Sequence, residues 1–182
     1  MIDLAIEVAV RAHQNQLRKG TDIPYITHPM AVGIILAKAG CPDEIIVAGI
    51  LHDTVEDTAV TLDNIREEFG ENIVSIVEGC SEPDKSLPWE ERKAHTLDFL
   101  KTAPLAVRLV TCADKIHNMR TIAAGHEKVG DQVWERFRKG RSDQEGYYRG
   151  LVESLCNRQD NQGHESLFQQ LKSEVENFFE NF

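Results

Sequence analysis

The chain has 182 residues, 41% hydrophobic and 27% charged, a length and balance that suit one globular domain and exclude disordered and fibrous classes. Lys and Arg number 20 against 30 Asp and Glu, a formal net charge of −10. That excludes broad electrostatic binding to nucleic acid or anionic lipid, and leaves room for a small phosphorylated ligand on a local basic cluster. Apolar runs such as Ile45–Leu51 are far too short to span a membrane. Asp3 and Glu7 interrupt the first apolar stretch, so no secretory leader is expected. Cys41, Cys80, Cys112 and Cys156 are widely spaced with no C-x-x-C pair, and are expected as free thiols of a cytoplasmic protein.

Hydrophobic positions recur at helical spacing along almost the whole chain. The pattern predicts a first helix over residues 2–17, with Ile2, Ile6, Ala9, Val10 and His13 on one side. A loop with Gly20, Pro24 and Pro29 follows, then a helix from Pro29 to Ala39, stopped by Gly40 and Pro42. A third helix over Asp43–Asp53 is apolar nearly all round and is expected to be central and buried. Thr61 reads as the N-cap of a fourth helix ending near Gly70. Further helices are predicted over Asn72–Cys80, from Trp89, from Pro104 through Ile122, and around Asp131–Phe137, Ser142–Cys156 and Glu165–Phe179. Ser81–Pro88, with Pro83 and Pro88, reads as a polar loop and Gly125–Gly130 as a turn. No alternating strand, repeat or low-complexity segment stands out. The expectation is an all-α, single-domain bundle of roughly nine or ten helices over residues 1–182.

His28, the pair His52-Asp53 and Asp114 stand where a helical core has little structural use for them. An ionised carboxylate is very unfavourable in a core unless it is paired or metal-bound. Two imidazoles and two carboxylates converging make a mixed N/O site suited to Mn, Fe or Zn, among which affinity rules do not choose. Each piece also has a plain structural reading: His28 as a turn residue before Pro29, Asp53 as a solvated helix end, Asp114 as a partner of Lys115.

The strings Arg18-Lys19-Gly20-Thr21, Pro24-Tyr25-Ile26-Thr27-His28-Pro29, Leu51-His52-Asp53-Thr54-Val55-Glu56-Asp57-Thr58 and Ala113-Asp114-Lys115-Ile116-His117-Asn118-Met119-Arg120-Thr121 sharpen the pattern. Over about residues 1–122 they resemble the hydrolase domain of the RelA/SpoT homologue family, within the HD-type metal-dependent phosphohydrolases. Asp84-Lys85-Ser86-Leu87-Pro88 with Glu91-Arg92-Lys93 is similar to the small, hydrolase-only members. The sequence departs from the long members at Cys112, Lys115 and the acidic Ser81–Asp84 loop, and no departure removes a ligand position. Residues from about 131 to 180 resemble the family loosely and are expected to complete the domain.

The resemblance implies Mn²⁺, or another divalent ion, on His28, His52, Asp53 and Asp114. It implies hydrolysis of the 3′-pyrophosphate of (p)ppGpp, with Glu56 and Asp57 orienting or deprotonating the attacking water. Arg18, Lys19 and Asn118 are implied on the substrate, with Lys115 and Arg120 as further candidates; Tyr147 and Tyr148 read as core residues or as a stacking surface for guanine. Arg18 and Lys19 also read as cations closing the first helix, and Glu56-Asp57 as a solvated turn. Lys85, Arg92 and Lys93 read equally as charge at the pocket rim or as surface cations paired with Glu90 and Glu91. His13, His95, His117, His126 and His164 read as structural or surface residues. Trp134, Phe137, Phe168, Phe178 and Phe179 read as packing residues, with the last helix also suited to a dimer contact. The expected partner is a guanosine polyphosphate, with no nucleic acid and no membrane, and a homo-oligomer is left open. The competing readings are an HD phosphohydrolase acting on another nucleotide, a non-catalytic nucleotide sensor, and a helical adaptor.

Overall fold

The computed structural model describes residues 1–181 apart from Pro83 and Gln159. Its described residues form ten α-helices: α1 (Ile2–Ala12), α2 (Thr27–Lys38), α3 (Asp43–Leu51), α4 (Thr54–Asp57), α5 (Leu62–Phe69), α6 (Glu71–Cys80), α7 (Trp89–Leu100), α8 (Leu105–Val129), α9 (Arg141–Cys156) and α10 (Glu165–Asn181), with a 3-10 segment at Gly130–Arg136. The expected all-α bundle is what forms. Pro42, Pro88 and Pro104 each stand just before a helix, where a missing N–H costs nothing. Thr61 accepts from the Asn64 backbone while the Asn64 side chain accepts from the Thr61 backbone, a reciprocal cap on α5.

α3 sits at the centre, as its composition predicts: Ile46 through Leu51 are all buried. α2 and α8 pack against it from two sides, α1 and α6 from others, and α10 lies across α8 and α9. One continuous cluster of buried apolar residues runs from Ala5 to Phe179. Fully burying each Leu, Ile or Phe in it contributes about 1.5–3 kcal/mol. The apolar face of α10 (Leu167, Phe168, Leu171, Val175, Phe178, Phe179) is buried within the chain. Trp134 is buried as expected. The fully buried Arg108 of α8 donates to Asn161 Oδ1 (2.9 Å) and Asp160 Oδ1 (3.0 Å), tying down the α9–α10 connection. Among the described residues all four cysteines are free, and no helix is long and apolar enough to cross a membrane.

Several boundaries differ from the sequence reading. α1 stops at Ala12 rather than residue 17, because Asn15 takes the left-handed conformation (φ 68°). Arg18 and Lys19 therefore do not close a helix. They lie on a small hairpin in which Leu17 bridges Pro24, Arg18 N donates to Ile23 O (2.8 Å), and Gly20 turns the chain at φ 70°. α2 begins at Thr27, so His28 lies inside a helix. α8 continues through the predicted turn at Gly125 and ends at Gly130 (φ 58°). Gly125 is kept for close packing: a Cβ there would lie 2.8 Å from Val133 Cγ2. The predicted helix at Asp131–Phe137 is the 3-10 segment, and Pro83 of the predicted loop lies outside the described residues.

Candidate active site

α3 ends at Leu51 and the chain turns sharply into the single turn of α4. Thr54 Oγ1 donates to Leu51 O (2.7 Å), satisfying a carbonyl at the break. The break projects His52 and Asp53 off the end of the most buried helix. α2 brings His28 to the same point and α8 brings Asp114. His52 Nε2 lies 3.1 Å from Asp53 Oδ2; His28 Nε2 lies 3.2 Å from Asp114 Oδ1 and 3.5 Å from Asp53 Oδ2. The ligand atoms of His28, His52 and Asp114 all fall within 4.8 Å of one another, and Asp53 joins them through both imidazoles.

The donor set fits a divalent ion. His52 Nδ1 lies 2.7 Å from Gly49 O and donates to it, which turns Nε2 to the cluster as the atom that would bind an ion once its proton is displaced. That atom is buried with no hydrogen bond; Asp53 is close to it but outside hydrogen-bond geometry. Atoms bound at about 2.0–2.2 Å to one ion lie about 3–3.5 Å apart, the separation of the three His–Asp pairs here. Without an ion the charges hold one another. Burial disfavours the charged form of His52, but the Asp53 carboxylate outweighs it and raises His52 to about 9. Burial also opposes ionisation of Asp53 and Asp114. His52 outweighs it at Asp53, and Lys115 (2.8 Å) with His28 outweighs it at Asp114, so both carboxyls stay well below the usual range. Burial lowers His28.

Two residues that the sequence reading gave no role belong to this cluster. Tyr25 Oη donates to Asp53 Oδ2 (2.6 Å), and burial with Asp53 raises its phenol far above the ordinary value. His117 Nδ1 lies 2.7 Å from His28 Nδ1, and burial followed by His28 lowers His117 to about 4. The available signal for His117 was its place three residues after Asp114, one turn along the same helix face. Tyr25 had no such signal, because a hairpin carries it in.

Glu56 and Asp57 fall on α4 rather than in a loop. Glu56 lines the main cavity together with His28, His52, Asp53 and Asp114. Its Oε2 accepts from Glu82 N (3.2 Å), and Lys85 Nζ reaches both Glu56 Oε1 (3.3 Å) and Asp57 Oδ1 (3.0 Å). Asp57 faces Lys85 and Tyr25. Glu82 in turn holds Arg92 and Lys93 of α7. These two cations therefore carry an internal carboxylate in place of the Glu90 and Glu91 pairing weighed from the sequence.

The main cavity is about 720 Å³ and adjoins a smaller one of about 300 Å³. Arg18, Tyr25, Lys93, Lys115, Asn118 and Tyr147 line both. Arg18 Nη2 donates to Asn118 Oδ1 (2.7 Å), and the Asn118 amide donates to Asp114. Lys19 lines the smaller lobe, and Tyr147 is a buried wall with Lys93 Nζ 5.0 Å from its ring centre. His95, read as structural or surface, lines the main cavity. Arg120 is a correction. Its guanidinium is bound to Glu174 of α10 at 2.6–3.1 Å, because residue 120 lies on a different face of α8 from Asp114 and Asn118. Arg136, unmentioned in the sequence reading, lines the smaller lobe.

A helical bundle whose central helices converge two imidazoles and two carboxylates defines an HD-type metal-binding protein. Residues 5–140 match the model of the HD domain family, and the chain belongs to that family. It is 41% identical over 125 residues to a probable GTP pyrophosphokinase of Mycobacterium leprae, covering 67% of this chain and 16% of that protein. It is 38% identical over 120 residues to the guanosine-3′,5′-bis(diphosphate) 3′-pyrophosphohydrolase MESH1 of Danio rerio, covering 64% of this chain and 66% of the relative. The chain thus spans about one sixth of its long curated relatives and just under two thirds of the short one. The crystal structure of lmo0812 from Listeria monocytogenes superposes with a TM-score of 0.78 at 34% identity, covering 85% of this chain and 99% of that one.

Proposed function

We propose that this chain is a divalent-metal-dependent hydrolase that removes the 3′-pyrophosphate of guanosine 3′,5′-bis(diphosphate) or its pentaphosphate analogue, giving GDP or GTP and pyrophosphate. The observation that carries the reading is the sharing of one cavity by His28, His52, Asp53, Asp114 and Glu56, continuous with a lobe rich in cations. Relatives named as enzymes of this activity support it. Residues 1–182 act as one hydrolase domain, with residues 131–180 completing it and Val133, Arg136, Phe137, Gln144, Tyr147 and Tyr148 lining the nucleotide lobe.

His28, His52, Asp53 and Asp114 hold the ion, for which Mn²⁺ is our assignment. When bound it supplies Lewis acidity and a water of lowered pKa near neutral pH. Glu56 takes the proton of the attacking water, a role worth about 10²–10⁴-fold. Asp57 keeps Lys85 and Tyr25 in place around it. The water oxygen bonds to the phosphorus on the ribose 3′-oxygen, that P–O bond breaks, and the 3′-oxygen takes up a proton. Arg18, Lys19 and Lys115 hold phosphate oxygens, Asn118 lies on the ribose side, and Tyr147 walls the nucleoside, which occupies the smaller lobe. We assign the protein to the cytoplasm, a reading that its free thiols support. The test is product analysis with the bis(diphosphate): pyrophosphate with GDP is expected, and release of orthophosphate alone rejects the reading.

A further inference from the structure

The smaller lobe contains a cation that no role above uses. Arg136 leaves the 3-10 segment and runs along two glycines. A Cβ on Gly20 would lie 2.9 Å from Arg136 Cγ, and a Cβ on Gly125 would lie 3.1 Å from Nη1. The missing side chains at both positions open the track along which the arginine reaches the lobe. Arg92 and Arg120 are neutralised by Glu82 and Glu174, whereas Arg136 has no carboxylate partner among the described residues. Among the described residues no Asp or Glu lines this lobe.

The remaining walls favour a flat ring. Trp89, Phe137, Tyr147, Tyr148, Ile122 and Val133 offer aromatic and aliphatic surface, against which a heteroaromatic base buries its faces and a hydrated phosphate gains little. With no carboxylate at hand, the N–H donors of a base find no charged acceptor there. Its acceptors do find a charged donor: O6 and N7 of guanine are adjacent acceptors that match a guanidinium fork.

We propose that Arg136 is a specificity-determining residue that reads the O6/N7 edge of a 6-oxopurine in the smaller lobe. Guanosine and inosine nucleotides are taken, and adenosine nucleotides, which present an amino donor at that edge, are refused. The inference rests on the assignment of the nucleoside to this lobe.

Arg136→Met keeps the stem against Gly20 and Gly125 and deletes the fork; Arg136→Lys keeps the charge and loses the bidentate geometry. Calorimetric binding of GDP, IDP and ADP to the metal-loaded protein is read beside pyrophosphate release from the three corresponding 3′,5′-bis(diphosphates). Wild type is expected to favour GDP and IDP over ADP by about 5- to 150-fold, the range of a bidentate base contact. Both variants are expected to bring that ratio close to one, through KM rather than kcat, with an unchanged melting temperature. Equal losses for all three nucleotides, an unchanged ratio, or a wild type blind to the base each overturn the proposal. Selective GDP binding without pyrophosphate release leaves the proposal standing and rejects the hydrolase reading. Pyrophosphate release with no base selectivity does the reverse.

Discussion

His117 Nδ1 and His28 Nδ1 face each other at 2.7 Å, so one shared proton must lie between them. If His28 gives Nε2 to an ion, that proton sits on His28 Nδ1 and His117 is the acceptor. The low proton affinity of His117, about 4 through burial and its neighbour His28, keeps it neutral and able to accept. Partners of this kind fix the tautomer of a ligating imidazole. His117→Ala is expected to weaken ion binding about 10- to 100-fold, measured by competition with a chromophoric chelator. Unchanged affinity in that variant would remove the assigned role.

Ion affinity should depend on pH through His52. The Asp53 carboxylate overcomes the effect of burial and holds His52 protonated up to about 9, and an ion must displace that proton. Affinity should therefore rise about tenfold per pH unit below that value and level off above it. In the ion-free protein the same raised value stabilises the fold. The contribution is full below the ordinary histidine value of 6.5 and is lost as pH rises through about 9. Chelator competition and denaturation midpoints across that window check both signs.

Glu56→Gln should leave the ion in place, because Glu56 belongs to the wall rather than to the ligand cluster. Turnover should fall by about 10² or more, the scale of a lost general base. Elemental analysis paired with kcat measures the two separately, and a fully active variant with normal metal content contradicts the assignment.

Arg120→Ala should leave KM unchanged, since its guanidinium is engaged by Glu174 on the far side of α8. The loss should be in stability, about 0.2–1 kcal/mol for a partly exposed pair, seen in the midpoint of chemical denaturation. A raised KM would return Arg120 to the substrate.

The all-helical architecture was legible because helical periodicity, Pro before helix starts and Gly after helix ends act locally. Thr61 capping α5 and the central α3, buried from Ile46 to Leu51, were read from sequence and are found in the structure. The set His28, His52, Asp53 and Asp114 was legible through the family resemblance; the cost of burying imidazole and carboxylate without partners singled out the positions but left each with a plain structural reading. The boundary errors arose where tertiary contacts override local preference. Apolar spacing ran α1 on to residue 17, but a hairpin held by α4 through Gln16 Nε2 and Asp57 O (2.8 Å) takes over at His13. Gly125 looked like a turn, yet it lies inside α8 because Val133 and Arg136 press against it. Tyr25 and Arg136 enter the site from irregular segments, where no periodicity announces which way a side chain faces.

The most direct measurement is the product balance of metal-loaded wild type and Asp114→Asn with guanosine 3′,5′-bis(diphosphate), with bound metal determined on the same samples. The account predicts equimolar GDP and pyrophosphate from wild type, abolished by a chelator and restored by a divalent ion. It predicts loss of metal and turnover together in Asp114→Asn. Turnover indifferent to the chelator, or a variant that stays active without bound metal, would contradict it.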